Sequence, residues 1–300
     1  MEHRFCLYLM GMALAVAIIG CSGKTPDSPE AKPVATRVED GPTVAAHLQE
    51  RYNELREDCG MPTRPAFLCS GILLRSTDYS PAYRSWLPNP ATAAWGVSFS
   101  WLRGDSPFVD THPTGNGFIV YPWFYADDVP GQYEQLNVRC IYPQDAWTAG
   151  PDRCREVCQD LDVTTAQQWL ERYTDNEDQC AFGVGHGTSN SAHAWTQVSI
   201  VRREGRMSER NEVIVEAWRE DVGRQMPLEA FFYRDNCHRE DHLCRIETTV
   251  EERRQHARAD QRDFLKFTRR WVPVIRWTPS LDPVPGSGFT YDPADQGVQP

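Results

Sequence analysis

Three short segments of this chain carry side chains that could do chemistry together. Gly71-Ile72-Leu73-Leu74-Arg75-Ser76-Thr77-Asp78 reads as a strand that delivers an arginine at its end. Gly96-Val97-Ser98-Phe99-Ser100-Trp101-Leu102 reads as a strand with serines at alternate positions, so both hydroxyls fall on one face. Glu209-Arg210-Asn211-Glu212-Val213-Ile214-Val215 reads as a strand entered through an acidic residue, and Met226-Pro227-Leu228-Glu229-Ala230-Phe231-Phe232-Tyr233-Arg234 follows it. An arginine fork matches phosphate oxygens bidentately. A carboxylate stabilises positive charge developing on a reacting carbon. Taken singly, each segment has an ordinary explanation: a surface ion pair, a solvent-facing edge, a glutamate that merely opens a strand.

Other constellations are weaker. Cys154 and Cys158 with His186 and His193 offer zinc-type donors, but the histidine spacing is wrong for zinc, and no metal is expected. His186 and His193 also define a hydrolase alternative, although Gly183-Val184-Gly185-His186-Gly187 reads as an ordinary loop entering a helix. Trp123-Phe124-Tyr125 offers rings that could stack on an aromatic ligand, and such rings are more often core. No glycine-rich dinucleotide fingerprint of the Rossmann type is present.

The elements that would position these residues begin after an export signal. Arg4 precedes an apolar run from Leu7 to Gly20, which is short for a membrane span, and Ile18-Ile19-Gly20-Cys21 has the form of a lipobox. Residues 1–20 are therefore expected to be removed, with Cys21 lipidated. Ser22 in the next place favours the outer membrane, so the fold is expected in an exported, lipid-anchored position. Residues 21–45 are polar and proline-rich, a flexible tether. Residues 46–280 form the folded domain, and 281–300 a Pro/Gly-rich tail. The formal charge of -11 makes nucleic acid a poor partner, and the cluster Arg253-Arg254 with Arg258 reads as a solvated helix face. Of ten cysteines, Cys6 and Cys21 belong to the signal and anchor, and the other eight suit disulfides in an oxidising compartment. Cys59 with Cys69 and Cys237 with Cys244 are near neighbours, while Cys140, Cys154, Cys158 and Cys180 leave the connectivity open.

Periodicity predicts a helix over 44–58 with Thr43 as cap, strands near 67–74, 95–102 and 117–124, and a loop-rich stretch over 126–178 containing one helix at 165–173. Residues 191–201 read as helix or strand. Strands follow near 212–218 and 228–233, then a helix over 260–267 and a last strand over 271–277. Strands outnumber helices without alternating with them, which predicts an α+β fold with mainly antiparallel sheet.

In order, the three segments resemble the arginine, serine-x-serine, glutamate layout of the ADP-ribosyltransferase superfamily, especially its cholera-toxin-like branch. Arg75-Ser76-Thr77-Asp78, Val97-Ser98-Phe99-Ser100, Glu212-Val213 and Met226-Pro227 carry the resemblance, and Phe231 to Arg234 match a closing aromatic strand. More broadly the chain resembles the halovibrin-type exported proteins, from about Cys59 to Trp277. The resemblance implies a split, two-sheet core and an NAD-consuming enzyme. NAD would be a substrate, with no tightly bound cofactor. Glu212 would face the oxocarbenium-like ribose as nicotinamide leaves, and Arg75 would hold phosphates or ribose. Ser98 would bond Glu212 or the nicotinamide ribose, and Ser100 would brace the same strand. Two departures stand out. Arg210 lies where members that modify protein arginines carry glutamate, which favours water over a protein ADP-ribose acceptor. The interval from Ser98 to Glu212 is long, implying a cysteine-braced insertion. The alternative of a different class is a non-enzymatic envelope lipoprotein that binds a partner or glycan through its aromatic residues.

Overall fold

Asp40 starts the first helix, α1 (Gly41–Asn53): its carboxylate accepts the main-chain N–H of Thr43 at 2.8 Å, and Pro42 follows in the first turn. Thr43, the expected cap, is instead the residue that is capped. Val44, Ala45 and Leu48 give the helix its buried face. The second helix, α2 (Val250–Thr268), opens on a reciprocal cap in which Thr249 Oγ1 accepts the Glu252 N–H at 3.2 Å and the Glu252 carboxylate accepts the Thr249 N–H at 2.8 Å. It is much longer than the span predicted from 260 to 267. Its buried positions are Arg253, Ala257, Gln261 and Phe264, a helical spacing in which two of the four side chains are polar, so a hydrophobic period does not reveal it. Arg253 is fully buried. It donates to the carbonyls of Arg234 at 2.8 Å and Thr248 at 2.7 Å, which corrects the reading of this basic cluster as a solvated face.

A computed structural model of the chain describes residues 40–56, 66–77, 86, 96–105, 115–122, 136–142, 145, 154, 182–183, 210–216, 226–235, 248–279 and 288–299. Nine strands appear among them: β1 (Ile72–Ser76), β2 (Val97–Leu102), β3 (Asn116–Val120), β4 (Asn137–Tyr142), β5 (Phe182–Gly183), β6 (Glu212–Glu216), β7 (Leu228–Arg234), β8 (Val274–Thr278) and β9 (Gly288–Tyr291). They join in the order β5-β4-β6-β2-β1-β3-β7-β8-β9. Among the described pairings β7–β8 is parallel and the others are antiparallel. The fold is α+β with a mainly antiparallel sheet, as predicted. β2 divides its pairing along its length: residues 100–102 bond β1 on one side, while 97–99 bond β6 on the other.

Several expected boundaries move. β4 lies inside the stretch read as loop-rich and becomes an inner strand between β5 and β6. Residues 288–299, read as part of a tail, continue the fold: β9 pairs with β8, and Gln261 accepts the N–H groups of Gly297 at 2.7 Å and Val298 at 3.1 Å. Gln296 then brackets Val274, accepting its N–H and donating to its carbonyl, each at 2.8 Å. The side-chain amide does the work of a neighbouring strand.

Alternation splits the apolar side chains between two faces. Leu73, Phe99, Phe118, Val213 and Phe231 join Phe264 of α2 in one cluster; Ile72, Leu74, Ile119 and Phe232 join Leu48 of α1 in the other. Each such side chain removed from water contributes about 1.5–3 kcal/mol. Trp86 fills the first cluster edge-on against Phe264, 5.5 Å between centroids, with its indole N–H donated to Asp260 at 3.2 Å. Cys140 and Cys154 form a disulfide within the interval between β2 and β6, and Cys69 is also disulfide-bonded. Cys21, Cys59, Cys158, Cys180, Cys237 and Cys244 lie outside the described residues, as do residues 21–39 of the tether and the segments 165–173 and 191–201; residues 41–45, expected to belong to the tether, open α1 instead, with Val44 and Ala45 buried. No helix among the described residues is long and apolar enough to cross a membrane.

Candidate active site

The three motif-bearing strands β1, β2 and β6 are far apart in sequence and adjacent in the sheet. Residues directly opposite in an antiparallel pair share a face. Ser98 lies opposite Ile214, and Phe99 opposite Val213. One step past that last pair, Ser100 comes alongside Glu212, and its hydroxyl donates to the Asn211 carbonyl at 3.2 Å. On the far side of β6, Tyr142 lies opposite Glu212 and Cys140 opposite Ile214. On the far side of β2, Leu74 lies opposite Ser100. A row therefore runs Tyr142, Glu212, Ser100, Leu74 across four strands on one face. To one side lies the small cluster of Cys140, Tyr142 and Ile214. To the other begins the cluster under α1. Ser98, Ser100 and Glu212 are a polar seam between two apolar patches. Glu212 is 3% exposed and Ser100 6%, while Ser98 is half-buried.

Arg75 does not join that seam by its side chain. It lies opposite Phe118 and one residue after Leu74, so alternation turns it to the face that α2 covers. Its guanidinium reaches along the strand and donates from Nη1 to the Ser98 carbonyl at 2.6 Å. That carbonyl lies where β2 has parted from β1. The structure thus brings Ser98, Ser100 and Glu212 together on one face and ties Arg75 to them through main chain. Gly117 keeps the arginine-bearing strand close: a Cβ there would sit 2.0 Å from the Arg75 carbonyl oxygen.

Asn211 was not singled out by sequence, yet it sets where Glu212 sits. Its side-chain amide accepts the Trp101 N–H at 2.8 Å and donates to the Trp101 carbonyl at 2.9 Å. Both bonds are buried, and they end the β2–β6 ladder just before the glutamate. Arg210 is ion-paired with Asp145, whose N–H donates to the Arg210 carbonyl at 2.8 Å. Nothing local marks Asp145 in the sequence, because its partner is distant along the chain. Of the neighbouring acids, Glu229 occupies a bulge in β7 and pairs with Arg51 of α1 at 2.6 Å. The Arg51 guanidinium also lies over the Tyr121 ring, 5.5 Å from its centroid. That carboxylate has a structural partner on a different part of the sheet. Glu216 ends β6 half-buried.

Among the described residues no group of three or more histidine, cysteine or acidic side chains is arranged to hold a metal. Asp78, Trp123, Phe124, Tyr125, Cys158, His186, His193 and Glu209 lie outside the described residues. No known family model and no curated protein matches this sequence.

Proposed function

We propose that this chain is an NAD-consuming enzyme of the ADP-ribosyltransferase type. More particularly, we propose an exported NAD glycohydrolase, lipid-anchored through Cys21, with the split two-sheet core of that superfamily. The observation that carries the reading is the adjacency of β1, β2 and β6, which sets Ser100 beside a buried Glu212 on the face that Ser98 shares. The change of partner along β2, and the Arg75–Ser98 bond where it occurs, support a sheet that divides at this point.

The chemistry follows from these groups. Cleavage of the nicotinamide–ribose bond builds positive charge on the sugar, and a carboxylate in a low-dielectric surrounding stabilises that charge more than one in water. Ser100 and Ser98 supply hydroxyls on the same face. Arg75 offers a guanidinium to phosphate where β1 and β2 part. Purified chain incubated with NAD should release nicotinamide. Glu212→Gln keeps shape and removes charge, so turnover should fall about 10²–10³-fold, with NAD affinity little changed. Arg75→Ala should weaken binding as well as turnover. A folded Glu212→Gln protein that cleaves NAD at the wild-type rate, with Glu229→Gln as the inactive one, would move the site to β7. The anchor has its own check: labelled palmitate should enter the wild-type chain and be absent from Cys21→Ser.

A further inference from the structure

The disulfide of Cys140 and Cys154 lies on the face of the polar seam. Ser98 is opposite Ile214, and Ile214 is opposite Cys140, so Cys140 occupies the row next to that of Tyr142, Glu212 and Ser100. The two cysteines are 14 residues apart. The loop they close carries Tyr142, which lies opposite Glu212, and Asp145, which meets Arg210 through its N–H and through an ion pair. Strand pairing holds β4 lightly among the described residues. Its ladder to β6 shifts register between Val138 and Cys140, and β5 on its other side pairs with two of its residues. A disulfide removes freedom that such a loop otherwise has. Cys154 has left-handed backbone, φ 72°, which an L side chain rarely adopts unless it is held there. Cys140 is fully buried and Cys154 is half-buried against it, so one end of the bridge is near solvent.

Resting on the reading of Glu212 above, we propose that the Cys140–Cys154 disulfide is a redox switch for the NAD-cleaving site. Oxidised, it holds Tyr142 and Asp145 against the entrance of β6 and keeps Glu212 out of water. Reduced, it frees residue 154 and the loop loosens. Water then reaches Glu212, and its charge stabilises the developing ribose cation less. Closing the switch takes two electrons and two protons from the thiols of Cys140 and Cys154. A disulfide oxidant accepts them and becomes two thiols: its S–S bond breaks as the one in the chain forms, by way of a mixed disulfide at the more exposed Cys154. Reducing compartments hold such pairs as thiols and oxidising ones as disulfides. Chain still in the cytosol therefore spares the NAD there, and cleavage begins after export.

The test uses the full chain and measures nicotinamide release from NAD per folded molecule, with a urea titration giving the folded fraction. Cys69 belongs to another disulfide, so a reductant by itself does not single out this bridge. Dithiothreitol should lower wild-type turnover about tenfold or more, part of the roughly 10²–10³ that losing the charge itself costs, and oxidised glutathione should restore it. Cys140→Ser combined with Cys154→Ser should be as slow as reduced wild type and respond to neither reagent. Hydrogen exchange gives a readout apart from activity: the amides of β4 should exchange faster in the double variant than in oxidised wild type, and those of β7 at the same rate. If the double variant does not fold, Cys154→Ala, which leaves the buried Cys140 in place, is measured instead. A folded variant at wild-type speed overturns the proposal, as does one that dithiothreitol slows further or whose β4 amides stay protected. If oxidised wild-type chain releases no nicotinamide, the reading of Glu212 fails and the switch fails with it. Release that does not change with redox state defeats the switch alone.

Discussion

Asn211 shows how a single side chain can place another. A primary amide presents one acceptor and one donor at the spacing of a peptide group, so it pairs with both polar groups of Trp101 where β6 has no main chain to offer. Trp101 in turn donates its indole N–H to the Ser70 carbonyl at 2.9 Å, which ties the end of β2 to the approach to β1. Removing the amide leaves two buried main-chain groups without partners, at about 1–3 kcal/mol each. Asn211→Ala should therefore lower unfolding free energy by roughly 2–6 kcal/mol in a urea titration. A loss under about 0.5 kcal/mol, the range of an ordinary surface change, would mean that the amide is not what ends the ladder. Glu212→Gln, by contrast, should act on turnover, and comparing the two variants separates holding the site from using it.

At the scale of elements, legibility followed locality. β2, β6 and β7 were readable because a run of β-forming residues is a property of neighbours in sequence, and each strand has both faces in core clusters. β4 was not, since its Asn137 and Arg139 interrupt the apolar run and its place in the sheet comes from pairing with β6. The N-terminal half of α2 was missed for a related reason: Arg253 and Gln261 are buried because main-chain carbonyls receive their N–H groups, and polarity then disguises a core face. Cysteine spacing left Cys140 unpaired on paper. The β4 strand and Cys154 bring the two Cα atoms to 5.8 Å, within the reach of a disulfide. The candidate site divides in the same way. Ser98, Ser100 and Glu212 were legible as types in a pattern, whereas Asn211 and Asp145 act through partners that no local pattern names.

At the scale of the whole molecule, the last residues close the fold. Tyr233 in β7 donates to Asp295 at 2.7 Å, and Arg254 of α2 lies 3.4 Å from the other carboxylate oxygen. Burial first, then the bond to Asp295 and its charge, push ionisation of the Tyr233 hydroxyl well above the usual phenol range, against the opposing pull of Arg276 and Arg254. A tyrosine in the unfolded chain ionises near pH 10. The folded chain holds its proton longer, so this contribution to stability is complete below about pH 10 and declines as pH rises beyond it. Urea unfolding between about pH 8 and pH 11 should show that decline, and Tyr233→Phe should flatten it; an equal slope in both proteins would exclude Tyr233 as its source. By itself the sequence determined the alternating strands, the class of fold and the residue types of the candidate site, because these rest on spacing along a few neighbouring residues. Only the tertiary structure decided that β1, β2 and β6 are neighbours, that Arg75 points away from Glu212 and bonds the Ser98 main chain, that Asp145 holds Arg210, and that residues 288–299 belong to the fold. Those depend on pairing between distant segments, where register and face follow from which partner is available rather than from the residues on either side.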